Sequence, residues 1–88
     1  ALIEAAVAQG LPRGAAQQLA TQTCLGAGRM LREEGATPAA LRRRVTSPNG
    51  TTQAALDSFA ADDFARIVAR AVAAATRRGD ELSTELDR

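Results

Sequence analysis

The 88-residue chain contains no histidine, tryptophan or tyrosine, one cysteine and two phenylalanines, and each shortage closes off a class of chemistry. With Cys24 alone there is no partner for an intrachain disulfide, and without histidine a zinc site has no ligand set, so no metal is expected. Phe59 and Phe64 are the whole aromatic complement, which leaves Ala, Leu and Val to build the interior. Burial contributes about 25 cal/mol per Å² of apolar surface, so small side chains gain little each unless helices approach closely or a second chain adds contacts. An oligomer is therefore expected. No apolar run nears the roughly 18 residues of a membrane helix and no charged-then-apolar leader is present, so the chain reads as cytoplasmic with no membrane partner. A formal net charge of +1 lacks the strong basic field of a dedicated nucleic-acid binder. All eleven basic residues are Arg, a bias from which no mechanism follows. The chain opens at Ala1 inside an apolar-periodic segment, and is expected to be a piece of a longer protein.

What is present is helical periodicity with clean punctuation. Leu2, Ile3, Ala6 and Val7 keep helical spacing until Gly10, and Pro12 is suited to a first helical position, where its missing N–H costs nothing. From Pro12 to about Glu34, Ala16, Leu19, Ala20, Thr23, Cys24, Ala27, Met30 and Leu31 follow the i, i+3, i+4 rule of an amphipathic helix closed by Gly35. Gly26 and Gly28 inside it each cost about 1 kcal/mol of helix propensity relative to Ala, which predicts a close helix crossing on that side. Cys24, on the apolar stripe, is expected to be a small core residue.

Thr37 and Pro38 provide an N-cap and a first helical position for a third helix to about Val45. A fourth helix, carrying Ala55, Leu56 and Phe59, is expected to be capped by Thr51 or Thr52, and a fifth, starting at Phe64, by Asp62 or Asp63. The fifth bears an apolar stripe of Phe64, Ile67, Val68, Ala71, Ala74, Ala75, Leu82 and Leu86, with Arg66, Arg70 and Arg77 elsewhere and Gly79 as a point of kinking or fraying. No repeat or strand alternation occurs. The fold class is all-α, a bundle of about five helices.

Between the third and fourth helices lies Thr46-Ser47-Pro48-Asn49-Gly50-Thr51-Thr52. Pro48 fixes its own φ and restricts Ser47, while Asn49-Gly50 tolerates left-handed backbone, so successive N–H groups can converge. The first turn of the following helix adds free N–H groups and the positive end of a helix dipole, a setting for a carboxylate or phosphate. The hydroxyls of Ser47, Thr51 and Thr52 add donors and acceptors. An ordinary turn followed by an ordinary cap accounts for the same residues without any ligand.

Three stretches in one order carry a resemblance. Gly10-Leu11-Pro12-Arg13 with Ala20 to Ala27, the run from Leu41 and Arg42 through Val45 to Thr52, and Phe64 leading to Ala71 through Arg78 together resemble the dimerisation domain of the pyrroline-5-carboxylate reductases. Asn49 stands where that family usually has Gly, and Asn is the best non-Gly residue for positive φ. The resemblance implies residues 1–88 as a dimerisation and substrate-binding domain, similar to the 6-phosphogluconate dehydrogenase C-terminal-like domains. It implies an interlocked homodimer, with higher assembly left open, and reduction of 1-pyrroline-5-carboxylate to L-proline with NADPH or NADH. The cofactor would be held by an N-terminal Rossmann domain absent from this chain, which has no Gly-rich dinucleotide fingerprint and is expected to be inactive alone. Substrate binding would fall on Ser47, Asn49, Gly50, Thr51 and Thr52, with the amides of Gly50, Thr51 and Thr52 on the carboxylate. The hydroxyl of Thr52, the catalytic candidate, would partner the ring nitrogen.

Two competing readings are a small helical adaptor or nucleic-acid-binding module, suggested by size and by Arg42-Arg43-Arg44, and a stand-alone dimerisation protein without activity. The three arginines equally suit the negative dipole end of a helix. Arg77 and Arg78 suit a solvated face or salt bridges across a dimer, for which the second and fifth helices are the expected interface.

Overall fold

The computed structural model describes residues 1–87. Five helices follow one another, α1 (Leu2–Ala8), α2 (Arg13–Glu33), α3 (Pro38–Val45), α4 (Thr51–Ala61) and α5 (Phe64–Leu86), and the architecture is all-α as the periodicity predicts. The chain divides into two compact units, Ala1–Val45 and a second beginning at Thr46.

In the first unit, α1 ends in a Schellman motif. Gly10 takes φ 107°, its N–H donates to the Val7 carbonyl at 2.9 Å, and the Leu11 N–H reaches the Ala6 carbonyl at 3.2 Å; only Gly adopts that backbone freely. Pro12 then serves as the N-cap of α2, with ψ 146° and its carbonyl accepting the Ala16 N–H at 2.9 Å, so the helix starts at Arg13, one residue later than expected. Glu4 and Arg13 join the two helices through a bidentate pair of 2.6 and 3.1 Å. The hydrogen bond from Arg13 holds the Glu4 carboxyl below its ordinary range, and that same bond raises the Arg13 guanidinium; both side chains stay largely in solvent, where such pairs contribute little.

Ala16 is fully buried between α1 and α2, and is the one buried apolar residue among those described. At about 1.5 Å per residue, α1 is near 10 Å long against about 30 Å for α2, and cannot cover it. Two expectations fail for this reason. Cys24 is exposed rather than part of a core, and a Cβ added at Gly26 or Gly28 would meet nothing within 4 Å, so this chain makes no close crossing there. Gly35, at φ 65°, closes α2 as expected. Thr37 caps α3, its Oγ1 accepting the Ala40 N–H at 3.1 Å, with Pro38 at the first helical position. Arg42, Arg43 and Arg44 occupy the last turn of α3, and Arg44 pairs with Glu34 at 2.7 Å.

In the second unit, α4 and α5 form a hairpin linked by Asp62 and Asp63. Asp63 holds the N-cap position of α5 in left-handed backbone, φ 56° and ψ 44°, without a side-chain cap bond. Phe59 and Phe64 meet across the link with ring centroids 4.6 Å apart, a contact contributing about 0.5–1.5 kcal/mol beyond its area. Helix α5 runs through Gly79 without a break, so no kink or fray forms there. Every described residue of α5 is exposed, including Ile67 at 55% and Val72 at 60%. Arg78 pairs along its own helix with Glu81 at 2.9 Å and Glu85 at 3.7 Å. No helix is long and apolar enough among the described residues to cross a membrane.

Candidate functional site

Residues 46–53 form a turn that delivers the chain into α4. Ser47, Pro48, Asn49 and Gly50 make a β-turn closed by the Gly50 N–H donating to the Ser47 carbonyl at 3.1 Å. Asn49 carries φ 60°, and positive φ after a proline is the pattern of a type II turn. Asn tolerates it better than other non-Gly residues. Gly50 itself, at φ −89° and ψ −177°, needs no left-handed freedom. It needs room, because a Cβ there would lie 3.0 Å from Ser47 Oγ and 3.2 Å from the Ser47 carbonyl oxygen.

The cap of α4 differs from expectation. Gly50 is the N-cap and no side chain caps the helix, so Thr51 and Thr52 are the first and second helical residues. The turn bond explains the shift: once the Gly50 amide closes on Ser47, the chain is already extended at Gly50 and enters the helix at Thr51. The first bond into the helix is from the Ala54 N–H to the Gly50 carbonyl at 3.1 Å. The amides of Thr51, Thr52 and Gln53 thus have no carbonyl one turn back to reach. They stand at the positive end of the α4 dipole, a place suited to an anion. The Gly50 amide, expected among the anion donors, belongs to the turn in this geometry. The Gln53 amide, third in the helix, stands among the unpartnered N–H groups instead, and that position is its signal in the sequence. Its side chain is turned along α4, with Nε2 donating to Asp57 at 2.8 Å, leaving the backbone N–H as its group at the helix start.

Thr52, in the first turn of α4, also differs from the threonines deeper in the helices. Thr21, Thr23, Thr76 and Thr84 fold their hydroxyls onto the carbonyl one turn back, at 2.7–3.0 Å. Thr52 is half-buried and makes no such bond, so its hydroxyl can serve another atom. Ser47, Asn49 and Thr51 are exposed around it. The turn brings Ser47 and Gly50 together through their contact, with Asn49 between them and Thr51 and Thr52 directly following. The Gly-rich strand–turn–helix that cradles a dinucleotide in a Rossmann domain has no counterpart among the described residues, which contain no strand.

Residues 1–82 match the family described as pyrroline-5-carboxylate reductase dimerisation. The chain is similar to the pyrroline-5-carboxylate reductase of Pseudomonas aeruginosa, 48% identical over 86 residues, which are 98% of this chain and 32% of that protein. It is also 45% identical over 83 residues to pyrroline-5-carboxylate reductase 3 of Mus musculus and to the pyrroline-5-carboxylate reductase of Arabidopsis thaliana, each match covering 94% of this chain and 30% of the relative. The chain thus spans about a third of the length of the curated relatives it matches. A match along nearly its whole length, with the helix order and the Ser-Pro-Asn-Gly-Thr-Thr turn described above, places this chain in the pyrroline-5-carboxylate reductase dimerisation family.

Proposed function

We propose that residues 1–88 are the dimerisation and substrate-binding domain of a cytoplasmic enzyme that reduces 1-pyrroline-5-carboxylate to L-proline with NADPH or NADH. The printed names of the relatives support the activity. The observation that carries the site is the start of α4, where three backbone amides lack a helical partner and no side chain caps them. In this reading the substrate carboxylate accepts hydrogen bonds from the N–H groups of Thr51, Thr52 and Gln53, aided by the Ser47 hydroxyl. Asn49 and Gly50 shape the turn: positive φ at one and the missing Cβ at the other hold Ser47 against the helix start.

The Thr52 hydroxyl donates to the imine nitrogen of the ring and polarises its C=N bond. A nicotinamide supplies the hydride and is held outside these residues, so the contribution of this chain is to orient the ring and fix the charge at its carboxylate. The homodimer supplies the apolar contacts that the single chain lacks, through α2 and α5. Their side chains, among them Leu19 and Leu25 on α2 and Ile67 and Val68 on α5, are about half exposed, and covering the remainder would contribute about half of the roughly 1.5–3 kcal/mol of a full burial each.

Thr52→Val in the full-length enzyme tests the assignment. Because the hydroxyl makes no bond within the chain, folding stability should be unchanged. The variant should lose about 1–3 kcal/mol in kcat/KM, roughly 5- to 150-fold, as for a lost buried hydrogen bond. Unchanged kinetics would remove Thr52 from the site.

A further inference from the structure

Gln53 is the third residue of α4, counted from the N-cap Gly50. From that place in a helix a Gln or Glu side chain reaches back to the cap and closes the helix start from within. The Gln53 side chain carries a carbonyl acceptor, and the Gly50 N–H is already engaged by Ser47. A returning side chain therefore finds the free amides that follow Gly50 as its donors. It does not return. Its Nε2 donates to Asp57 Oδ1 at 2.8 Å, one turn further along α4, and Asp57 is its one partner among the described residues. The amides of Thr51, Thr52 and Gln53 stay open although a residue able to cover them stands among them.

The charge of Asp57 gives no reason for its position. A carboxylate one turn from a place that receives another carboxylate is repelled by it. What Asp57 contributes is an acceptor oxygen, set where it takes the Gln53 amide away from the helix start. We infer that Asp57 is a positioning residue of the substrate site, holding the Gln53 side chain along the helix so that the carboxylate-binding amides remain uncovered. The inference rests on the substrate site proposed above and concerns what keeps that site open. Without Asp57 the helix start divides between an open and a covered form. Substrate binds the open one, so its apparent affinity falls by the open fraction. Saturating substrate displaces the side chain, and turnover at saturation is kept.

The test uses steady-state kinetics of the full-length enzyme with 1-pyrroline-5-carboxylate. Asp57→Ala should raise KM about three- to tenfold, the range of one hydrogen bond, with kcat held. Asp57→Asn keeps the acceptor oxygen and should keep the parent KM. Adding Gln53→Ala to Asp57→Ala removes the side chain, leaves the backbone N–H, and should undo most of the rise. A KM for Asp57→Ala at or below that of the parent, the direction given by loss of the charge alone, would overturn the inference. So would a raised KM that Gln53→Ala does not reverse, because a Gln–Asp pair one turn apart also supports its helix and that outcome would assign Asp57 to stability alone. Thr52→Val in the same assays separates the two readings. A loss of kcat/KM there, with Asp57→Ala at the parent KM, overturns the role of Asp57 and leaves the site standing; no effect in either variant overturns both.

Discussion

Helices α3 and α4 both start after a short polar segment containing proline and threonine, yet the two starts are finished differently. At α3, the Thr37 hydroxyl accepts the Ala40 amide at 3.1 Å and Pro38 takes the first position, where no N–H is needed. At α4, Pro48 lies two residues before the cap, the cap is Gly50, and no side chain turns back. The first start is closed from within the chain. The second leaves the amides of Thr51, Thr52 and Gln53 facing outward, with a half-buried hydroxyl beside them. Similar composition yields a structural element in one place and a receptive one in the other, and the difference comes from one residue of register: the turn bond from Gly50 to Ser47 moves both threonines past the cap position and into the helix.

Substitutions at the two starts should therefore separate binding from stability. The largest effect is expected from Gly50→Val, whose branched Cβ would press on Ser47 Oγ and on the Ser47 carbonyl. Overpacking of this kind costs about 1–3 kcal/mol; the KM of the full-length enzyme for 1-pyrroline-5-carboxylate should rise roughly tenfold or more, as when one or two charge-assisted hydrogen bonds are lost. A KM within a factor of two of the parent, measured in steady-state assays, would mean that the turn does not shape the site. Thr37→Ala should do the opposite. Loss of the cap should lower unfolding stability by about 1 kcal/mol in denaturant titrations and leave KM unchanged, and a change in KM would erase the contrast between the two starts.

Asn49→Gly should have a smaller effect. Gly accepts φ 60° without strain but adds freedom to the unfolded chain, so stability should move by less than about 1 kcal/mol and KM should hold, whereas Asn49→Val should impair both through strain at positive φ. The smallest effect is expected from Glu4→Gln, and it should be felt near neutrality rather than in acid. The Glu4 carboxyl is held below its ordinary value by Arg13, so its contribution is fully present above that ordinary value and is lost as pH falls through the lowered one. The variant should therefore be slightly less stable than the parent near neutrality in pH-dependent unfolding, with the difference closing as pH falls through that acid window; a difference that persists in acid would contradict the pairing.

Much of this arrangement was legible from residue order. The five helices, the Thr37 cap, the closure of α1 at Gly10 and of α2 at Gly35, and the polar turn before α4 all follow from local chemistry, which acts within a few residues. The misreadings have two physical sources. Helix starts are legible only to within a residue or two: Pro12 suits either the cap or the first position and its extended ψ of 146° makes it the cap, while before α4 several residues in a row could cap and the hydrogen bond from Gly50 to Ser47 decides among them. Cys24 and the glycines at 26 and 28 were expected to meet neighbours, because an apolar stripe reports that a face is suited to burial and not which chain buries it. Gln53 was overlooked at the site since its side chain carries no signal there; what it presents is a backbone N–H.

The central claim is that the open start of α4 receives the carboxylate of an imino or amino acid. A crystal structure of the full-length protein saturated with L-proline tests it most directly. The account predicts the carboxylate oxygens within hydrogen-bonding distance of the amides of Thr51, Thr52 and Gln53, with the ring nitrogen beside the Thr52 hydroxyl; L-proline bound elsewhere, with those amides facing only water, would contradict it.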